Sequence, residues 1–282
     1  MSQPLLFAKQ LVVGYRRGRT QWPPKRDRKL VPVLHGIDLH IGKGETVGIV
    51  GESGSGKSTL GRALFRLIDP ISGFIHFDGI DITRFDERAM RPLRRRMQII
   101  FQDPMSSLNP RHTIGHILTE PILLHRFAGN KAEALTKVNA VLERVGLSDN
   151  TIDRYPHELS GGQRQRVGIA RAVVLQPDFI LADEIVSGLD VSTQAHVLQI
   201  LKELTSTMNV ALAFISHDLS VIRSICDRVV VIKDGVIVEQ GGCSRVFAAP
   251  QSRYTRMLIE AIPLPISDPD WLSREMSDEA AF

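Results

Sequence analysis

Val47-Gly48-Ile49-Val50-Gly51-Glu52-Ser53-Gly54-Ser55-Gly56-Lys57-Ser58 (VGIVGESGSGKS) is the stretch on which the fold turns. Its first four residues are apolar without polar alternation, the pattern of a short strand buried on both faces of a parallel sheet. Gly51 to Ser58 then matches G-x-x-x-x-G-K-[ST]. Beyond it, Leu60, Ala63, Leu64, Leu67 and Ile68 fall at i, i+3, i+4, i+7 and i+8, one apolar stripe of a helix. Glycine-rich turns join many strands to helices, but the full pattern between these flanks specifies a phosphate-binding loop. Its glycines let successive N–H groups face one anion, and the helix start adds the positive end of its dipole. Lys57 has the reach for β- and γ-phosphates, and the Ser58 hydroxyl is a ligand for Mg²⁺. A nucleoside triphosphate site follows, built on Gly51, Glu52, Ser53, Gly54, Ser55, Gly56, Lys57, Ser58 and Thr59.

Around this centre, strand signals alternate with helical ones. Leu5–Leu11, Val31–Leu34 and Ile37–Ile41 read as short strands broken by turn residues. From about Thr113 to Ala172 the pattern is helical, with Leu135, Val138, Val141, Leu142 and Val145 marking a helix stopped at Gly146. Another helix opens near Gly162. Strands return at Phe179–Ala182 and Val210–Ile215, with the helix of Val197, Leu198, Leu201, Leu204 and Met208 between them. A hairpin, Val229–Ile232 and Val236–Val238, turns across Asp234-Gly235. The expected fold is α/β: a P-loop core with a parallel sheet, an N-terminal antiparallel β subdomain and an inserted α-helical subdomain.

Size and composition agree with a globular chain. It has 282 residues, 43% of them hydrophobic, and a net charge of +4. No apolar run approaches the roughly 18 residues that cross a bilayer, and the N-terminus does not read as a signal peptide. Cys226 and Cys243 form neither a metal spacing nor a disulfide framework, as expected in a reducing cytosol. Arg16, Arg17, Arg19, Lys25, Arg26, Arg28 and Lys29 surround Pro23-Pro24. That cluster reads as a solvated loop between strands, with contact to anionic lipid or a docking partner as the sharper alternative. The last 20 residues, rich in Pro, Ser and acids, read as a poorly packed tail.

Two further stretches carry chemistry. Leu159-Ser160-Gly161-Gly162-Gln163-Arg164-Gln165-Arg166 opens a helix with a serine hydroxyl and exposed N–H groups, a second candidate anion site. Ile180-Leu181-Ala182-Asp183-Glu184-Ile185-Val186-Ser187-Gly188-Leu189-Asp190 ends an apolar strand in two adjacent carboxylates. Stray acids are common at strand ends, so these alone do not decide between chemistry and solvation.

The phosphate loop, LSGGQ, Asp183-Glu184, Gln102 after an apolar strand and Ser216-His217-Asp218 after another stand in one order. In that order they resemble the ATPases of ABC transporters, from about residue 5 to 262. The resemblance implies an ATP-binding domain over residues 1–262, with a helical subdomain at about 104–172 and a tail at 263–282. It implies two subunits paired head to tail, each ATP lying between one chain's phosphate loop and the other's Ser160, Gly161, Gly162 and Gln163. It further implies that Tyr15 stacks on adenine, that Gln102 senses Mg²⁺ and the membrane partner, and that Asp190 closes the dimer. Glu184 becomes the general base, His217 the holder of the γ-phosphate, and Ser58, Gln102 and Asp183 the Mg²⁺ partners. The other eight histidines carry no such context.

A finer resemblance is to the branch that imports peptides and nickel. Phe101-Gln102-Asp103-Pro104-Met105-Ser106-Ser107-Leu108-Asn109-Pro110 and the ending Ala249-Pro250-Gln251-Ser252-Arg253-Tyr254-Thr255-Arg256-Met257-Leu258-Ile259-Glu260-Ala261-Ile262-Pro263 are similar to segments of that branch, although Ser252-Arg253 replaces its common His-Pro. With only two cysteines the chain resembles the subunit type that lacks a C-terminal iron–sulfur cluster. The branch implies two integral-membrane permeases, a second and paralogous ATPase, and an external solute-binding protein acting indirectly, with no nucleic acid. It places the chain peripherally on the cytoplasmic face of the plasma membrane. A soluble ABC ATPase of ribosomes or DNA would normally carry two cassettes or a long coiled coil, and a non-hydrolysing switch would not need Glu184 and His217. Where the family commonly has Pro-Thr and Ala, this chain has Ile185-Val186 and Gly188. Altered local stiffness and dimer-contact geometry are expected there, with the chemistry intact.

Overall fold

A computed structural model describes residues 3–16 and 30–262. The basic segment at 17–29 and the expected tail at 263–282 lie outside the described residues. In chain order the elements are β1 (Leu6–Arg16), β2 (Leu30–Ile41), β3 (Thr46–Val50), α1 (Lys57–Leu64), β4 (Ser72–Phe77), β5 (Ile80–Asp81), α2 (Glu87–Arg94) and β6 (Met97–Ile100). There follow α3 (Pro104–Ser107), α4 (Ile114–Leu124), α5 (Lys131–Arg144) and α6 (Gly161–Val173), then β7 (Phe179–Asp183), α7 (Val191–Met208), β8 (Ala211–Ile215) and α8 (Leu219–Ile225). The hairpin β9 (Arg228–Lys233) and β10 (Val236–Gly242) precedes α9 (Cys243–Ala248) and α10 (Arg253–Glu260).

Two sheets form. One is antiparallel, in the order β2-β1-β4-β5; the other has six strands in the order β10-β9-β3-β8-β7-β6. In the second sheet β9, β3, β8, β7 and β6 run parallel, and β10 closes the edge antiparallel to β9. The apolar runs of β7 and β8 are explained by burial on both faces. Phe179, Leu181, Ala213 and Ile215 enter a core shared with β1, β2 and Leu60 and Leu64 of α1. Their alternates Ile180, Ala182, Leu212 and Phe214 enter a second core with Leu118, Val138, Leu142, Val167 and Leu201. Period-2 alternation thus splits one sheet between two apolar layers, leaving no face for a polar residue.

Several boundaries differ from the sequence reading: the strand expected at Leu5–Leu11 runs on to Arg16, and the one at Val236–Val238 runs on to Gly242. Val31–Leu34 and Ile37–Ile41 are one strand, because the left-handed Gly36 and Gln10 absorb the turn signal as a bulge in the β1–β2 ladder. Helix α1 stops at Leu64 and does not reach Ile68: Arg66 adopts φ +53° and its guanidinium bonds the carbonyls of Ile68, Ile82 and Phe85. Leu67 is left exposed. The Asp234-Gly235 turn has both residues at positive φ, as a two-residue hairpin with right-handed strand twist requires.

Candidate functional site

Strands β3, β8, β7 and β6 are neighbours and parallel, so their carboxyl ends open onto one edge of the sheet. That edge is where ligands bind in open α/β sheets. Each strand delivers one of the motifs there: β3 the phosphate loop, β8 Ser216-His217-Asp218, β7 Asp183-Glu184, and β6 Gln102.

The phosphate loop is shaped by its backbone. At Gly51 a Cβ would clash with the carbonyl oxygen of Ile232, so the close approach of the loop to β9 requires glycine. Helix α1 starts from Gly56 at φ 108° and has no side-chain cap. By contrast α2, α4, α5, α6, α7 and α8 are capped by Asp86, Thr113, Asn130, Ser160, Asp190 and Asp218. The first-turn N–H groups of a helix have no intrahelical partner, so α1 presents them uncapped by any side chain to an anion. The Ser55 hydroxyl is also buried without a partner. Lys57 is buried, and its Nζ donates to Gly51 O at 2.7 Å and Glu52 O at 2.8 Å, which holds the ammonium over the loop.

Opposite the loop, Ser58 Oγ donates to Asp183 Oδ1 at 3.2 Å. Burial pushes the Asp183 carboxyl above its ordinary range; the Ser58 bond opposes this and the neighbouring Glu184 charge adds to it. Burial pushes the Lys57 ammonium below its ordinary range, while Glu184, Asp183 and Glu52 pull it back up. The Ser58–Asp183 pair therefore offers two hard oxygens where a cation would relieve the crowded carboxylates. The uncapped helix start and Lys57 together offer a site for an anion. The donor set fits a magnesium–triphosphate.

Glu184 is the centre of the remaining contacts. Gln102 Nε2 donates to its Oε2 at 3.1 Å and to Ser187 Oγ at 3.3 Å. His217 Nδ1 lies 3.7 Å from its Oε1. The backbone of Glu184 is left-handed at φ +50°, a conformation costing a non-glycine residue about 1–3 kcal/mol. It is pinned there by Glu184 N donating to Ile215 O at 3.0 Å and Ser187 Oγ donating to Glu184 O at 2.8 Å. The turn brings the Glu184 carboxylate against Gln102 and His217.

Ile185 and Val186 are both buried in the helical core, so the residues that stand for the family's common Pro-Thr serve packing. Gly188 has φ +78°, which favours glycine over alanine.

Tyr15, near the end of β1, leaves its ring exposed while its hydroxyl sits 3.2 Å from Thr59 Oγ1 at the start of α1. Ser160 and Gln163 form a reciprocal capping box, Gln163 N donating to Ser160 Oγ and Ser160 N to Gln163 Oε1. Among the described residues, no hydrogen bond joins this turn to the Lys57–Glu184 cluster of the same chain. Asp190 caps α7, accepting from Ser192 Oγ, Thr193 N and Thr193 Oγ1. Those donors hold its carboxyl well below the usual range.

A family model described as ABC transporter matches residues 34–187. The chain is 53% identical over 238 residues to a Brucella ovis protein named as a peptide import ATP-binding protein, covering 84% of this chain and 74% of that one. It is 45% identical over 266 residues to the oligopeptide transport ATP-binding protein AmiF of Streptococcus pneumoniae, covering 94% and 83%. The chain belongs to the ABC transporter family. Its fold superposes on the dimeric, post-hydrolysis ATP-binding cassette MJ0796 bound to ADP and Pi with TM-score 0.75, 29% identity and coverage of 84% and 98%. This ABC protein binds ATP and is an ATPase.

Three contacts of the ABC ATPase were not visible in its motifs. Ser187 shares Gln102 with Glu184. Thr193 packs so closely on Gly162 that a Cβ there would clash with Thr193 Cγ2, which ties the Asp190 turn to the start of α6. Tyr254, buried in α10, accepts a hydrogen bond from Glu52 N at 2.9 Å and carries Lys233 Nζ 4.9 Å above its ring. The branch segment marks Tyr254, but nothing local ties it to a loop some two hundred residues away. Tyr254→Phe removes the acceptor of a loop N–H, at a cost of about 1 kcal/mol. The expected result is a several-fold rise in KM for ATP with kcat little changed, read from steady-state hydrolysis. Equal loss in both parameters would show that the hydroxyl does not act through nucleotide binding.

Proposed function

We propose that this ABC ATPase is the energy-supplying subunit of an importer for peptides or a related small solute. The observation that carries the reading is the convergence of Lys57, Asp183, Glu184, Gln102 and His217 at one sheet edge, in a chain whose relatives are named for peptide import. In this reading ATP lies on Gly51–Thr59 with adenine against Tyr15, and Lys57 offsets the charge of the β- and γ-phosphates. Ser58, Asp183 and Gln102 would hold Mg²⁺, which supplies further charge neutralisation at those phosphates. Glu184 takes the proton of a water as its oxygen bonds the γ-phosphorus and the bond to the ADP oxygen breaks. His217 holds the γ-phosphate in line.

Ser160, Gly161, Gly162 and Gln163 complete the site from the other side, on the γ-phosphate of a paralogous partner bound head to tail, and Asp190 stands at the dimer contact. The closed dimer then needs two ATP, and hydrolysis removes the bridge between the subunits. The domain at 1–262, with its insertion at about 104–172, would pass closure to two membrane permeases served by an external binding protein. No described helix is long and apolar enough to cross a membrane, which accords with a peripheral place on the cytoplasmic face. Membrane co-purification tests the reading: two integral-membrane subunits are expected to come down with the chain, and recovery with ribosomes or DNA in their place would refute it.

A further inference from the structure

His112, His116 and Glu120 lie apart from the sheet edge, and the hydrolytic chemistry uses none of them. They run His-x-x-x-His-x-x-x-Glu into α4. His116 and Glu120, four apart, share one face of α4, and His112 approaches them from the turn just before the helix. The two imidazole rings are 4.1 Å apart between centroids, and His116 Nδ1 is 3.9 Å from Glu120 Oε2. One ligand atom from each of the three residues lies within 4.8 Å of the other two. The backbone beneath them is fixed. His112 N donates to Asn109 O at 3.2 Å, and Thr113 Oγ1 accepts from His116 N at 3.3 Å as the cap of α4. His112 is half-buried while His116 and Glu120 are exposed, so the ligand atoms converge from a rigid base toward solvent.

We infer that His112, His116 and Glu120 form a binding site for a divalent transition-metal ion of the Zn²⁺ class. Bonds of about 2.0–2.2 Å to a tetrahedral ion set ligand atoms roughly 3.3–3.6 Å apart. Closing the cluster by roughly 1 Å is within the reach of side-chain rotation. Two imidazoles with one carboxylate suit Zn²⁺, Co²⁺ or Ni²⁺, whereas Mg²⁺ and Ca²⁺ take oxygens. The site is therefore chemically unlike the Ser58–Asp183 pair, and solvent completes its coordination. Its position gives the ion a mechanical consequence. The turn at Asn109–His112 lies between the Gln102 loop and α4, and Arg171 of α6 bonds Ser107 O just before it. An ion bridging His112 to His116 and Glu120 staples that turn to α4 and stiffens the path from the ATP site into the helical insertion.

The test is titration of the full-length, chelator-stripped protein with Zn²⁺ by calorimetry, with Co²⁺ visible absorption as a report on nitrogen ligation. One saturable class is expected, with a melting temperature that rises with Zn²⁺. Losing even an outer-shell partner of a metal site costs about 10–100-fold in affinity, so His112→Ala and His116→Ala should each weaken binding at least tenfold. Both should also abolish the Co²⁺ band. Glu120→Gln, which keeps the side-chain shape, should weaken Zn²⁺ by a smaller factor and serves if either alanine variant melts early. Without metal all three should hydrolyse ATP at the parental rate. No saturable binding, or an isotherm and Co²⁺ band unchanged in both histidine variants, would overturn the assignment and leave a tilted pair of imidazoles beside a helix ion pair.

Discussion

Lys57→Ala is expected to lower nucleotide-dependent turnover by at least about a hundredfold to a thousandfold, the scale set by removing one preorganised electrostatic donor. The geometry makes the loss specific. Nζ is buried and fixed between the carbonyls of Gly51 and Glu52, so its charge is already aimed at the loop before any substrate arrives. A charge that needs no reorganisation is worth most in a water-poor site. Alanine also withdraws the cation that faces Glu184, Asp183 and Glu52, leaving those carboxylates to repel an incoming polyphosphate. Binding and chemistry should therefore both fail. The fold should survive, because the loss is about 1–3 kcal/mol of hydrogen bonding, roughly 2–5 °C in melting temperature for a chain of this size. A folded Lys57→Ala protein hydrolysing ATP within about twofold of the parent would remove Lys57 from the mechanism.

What could be read from the sequence depended on whether cause and effect were close along the chain. The phosphate loop was legible because strand, glycines, lysine and helix are contiguous, and β3, the loop and α1 follow in that order. The strands of the parallel sheet were legible because burial on both faces leaves unbroken apolar runs such as Ala211–Ile215. The end of α1 was not: the stripe continues to Ile68, and only the tertiary bonds of Arg66 show why the helix stops at Leu64. Likewise Ile185 and Val186 looked like departures from a motif, and their burial is decided by helices elsewhere in the chain. The same separation hid the contacts of Tyr254 and Thr193, whose partners Glu52 and Gly162 lie far off in sequence. The left-handed Glu184 is a third kind of case, since its conformation is imposed by Ile215 and Ser187 and leaves no trace in residue type.

That imposed conformation is what makes Glu184→Gln the sharper of the two large predictions. Glutamine has the same length and branching, so the positive-φ turn and its bonds to Ile215 and Ser187 have no reason to relax. The amide oxygen still accepts from Gln102 Nε2, and one negative charge beside Asp183 disappears. ATP should therefore bind at least as well as in the parent, while the group proposed to take the water's proton is gone. A lost general base costs about 10²–10⁴ in rate. If ATP glues two ABC subunits and hydrolysis releases them, this variant should collect as a long-lived, ATP-dependent dimer, read by size-exclusion chromatography with its ATPase partner. The two observables separate the possible failures. Parental hydrolysis would show that another group is the base. Slow hydrolysis with weak ATP binding would place Glu184 in nucleotide affinity, and slow hydrolysis with tight ATP but no dimer would move the second anion site away from Ser160–Gln163.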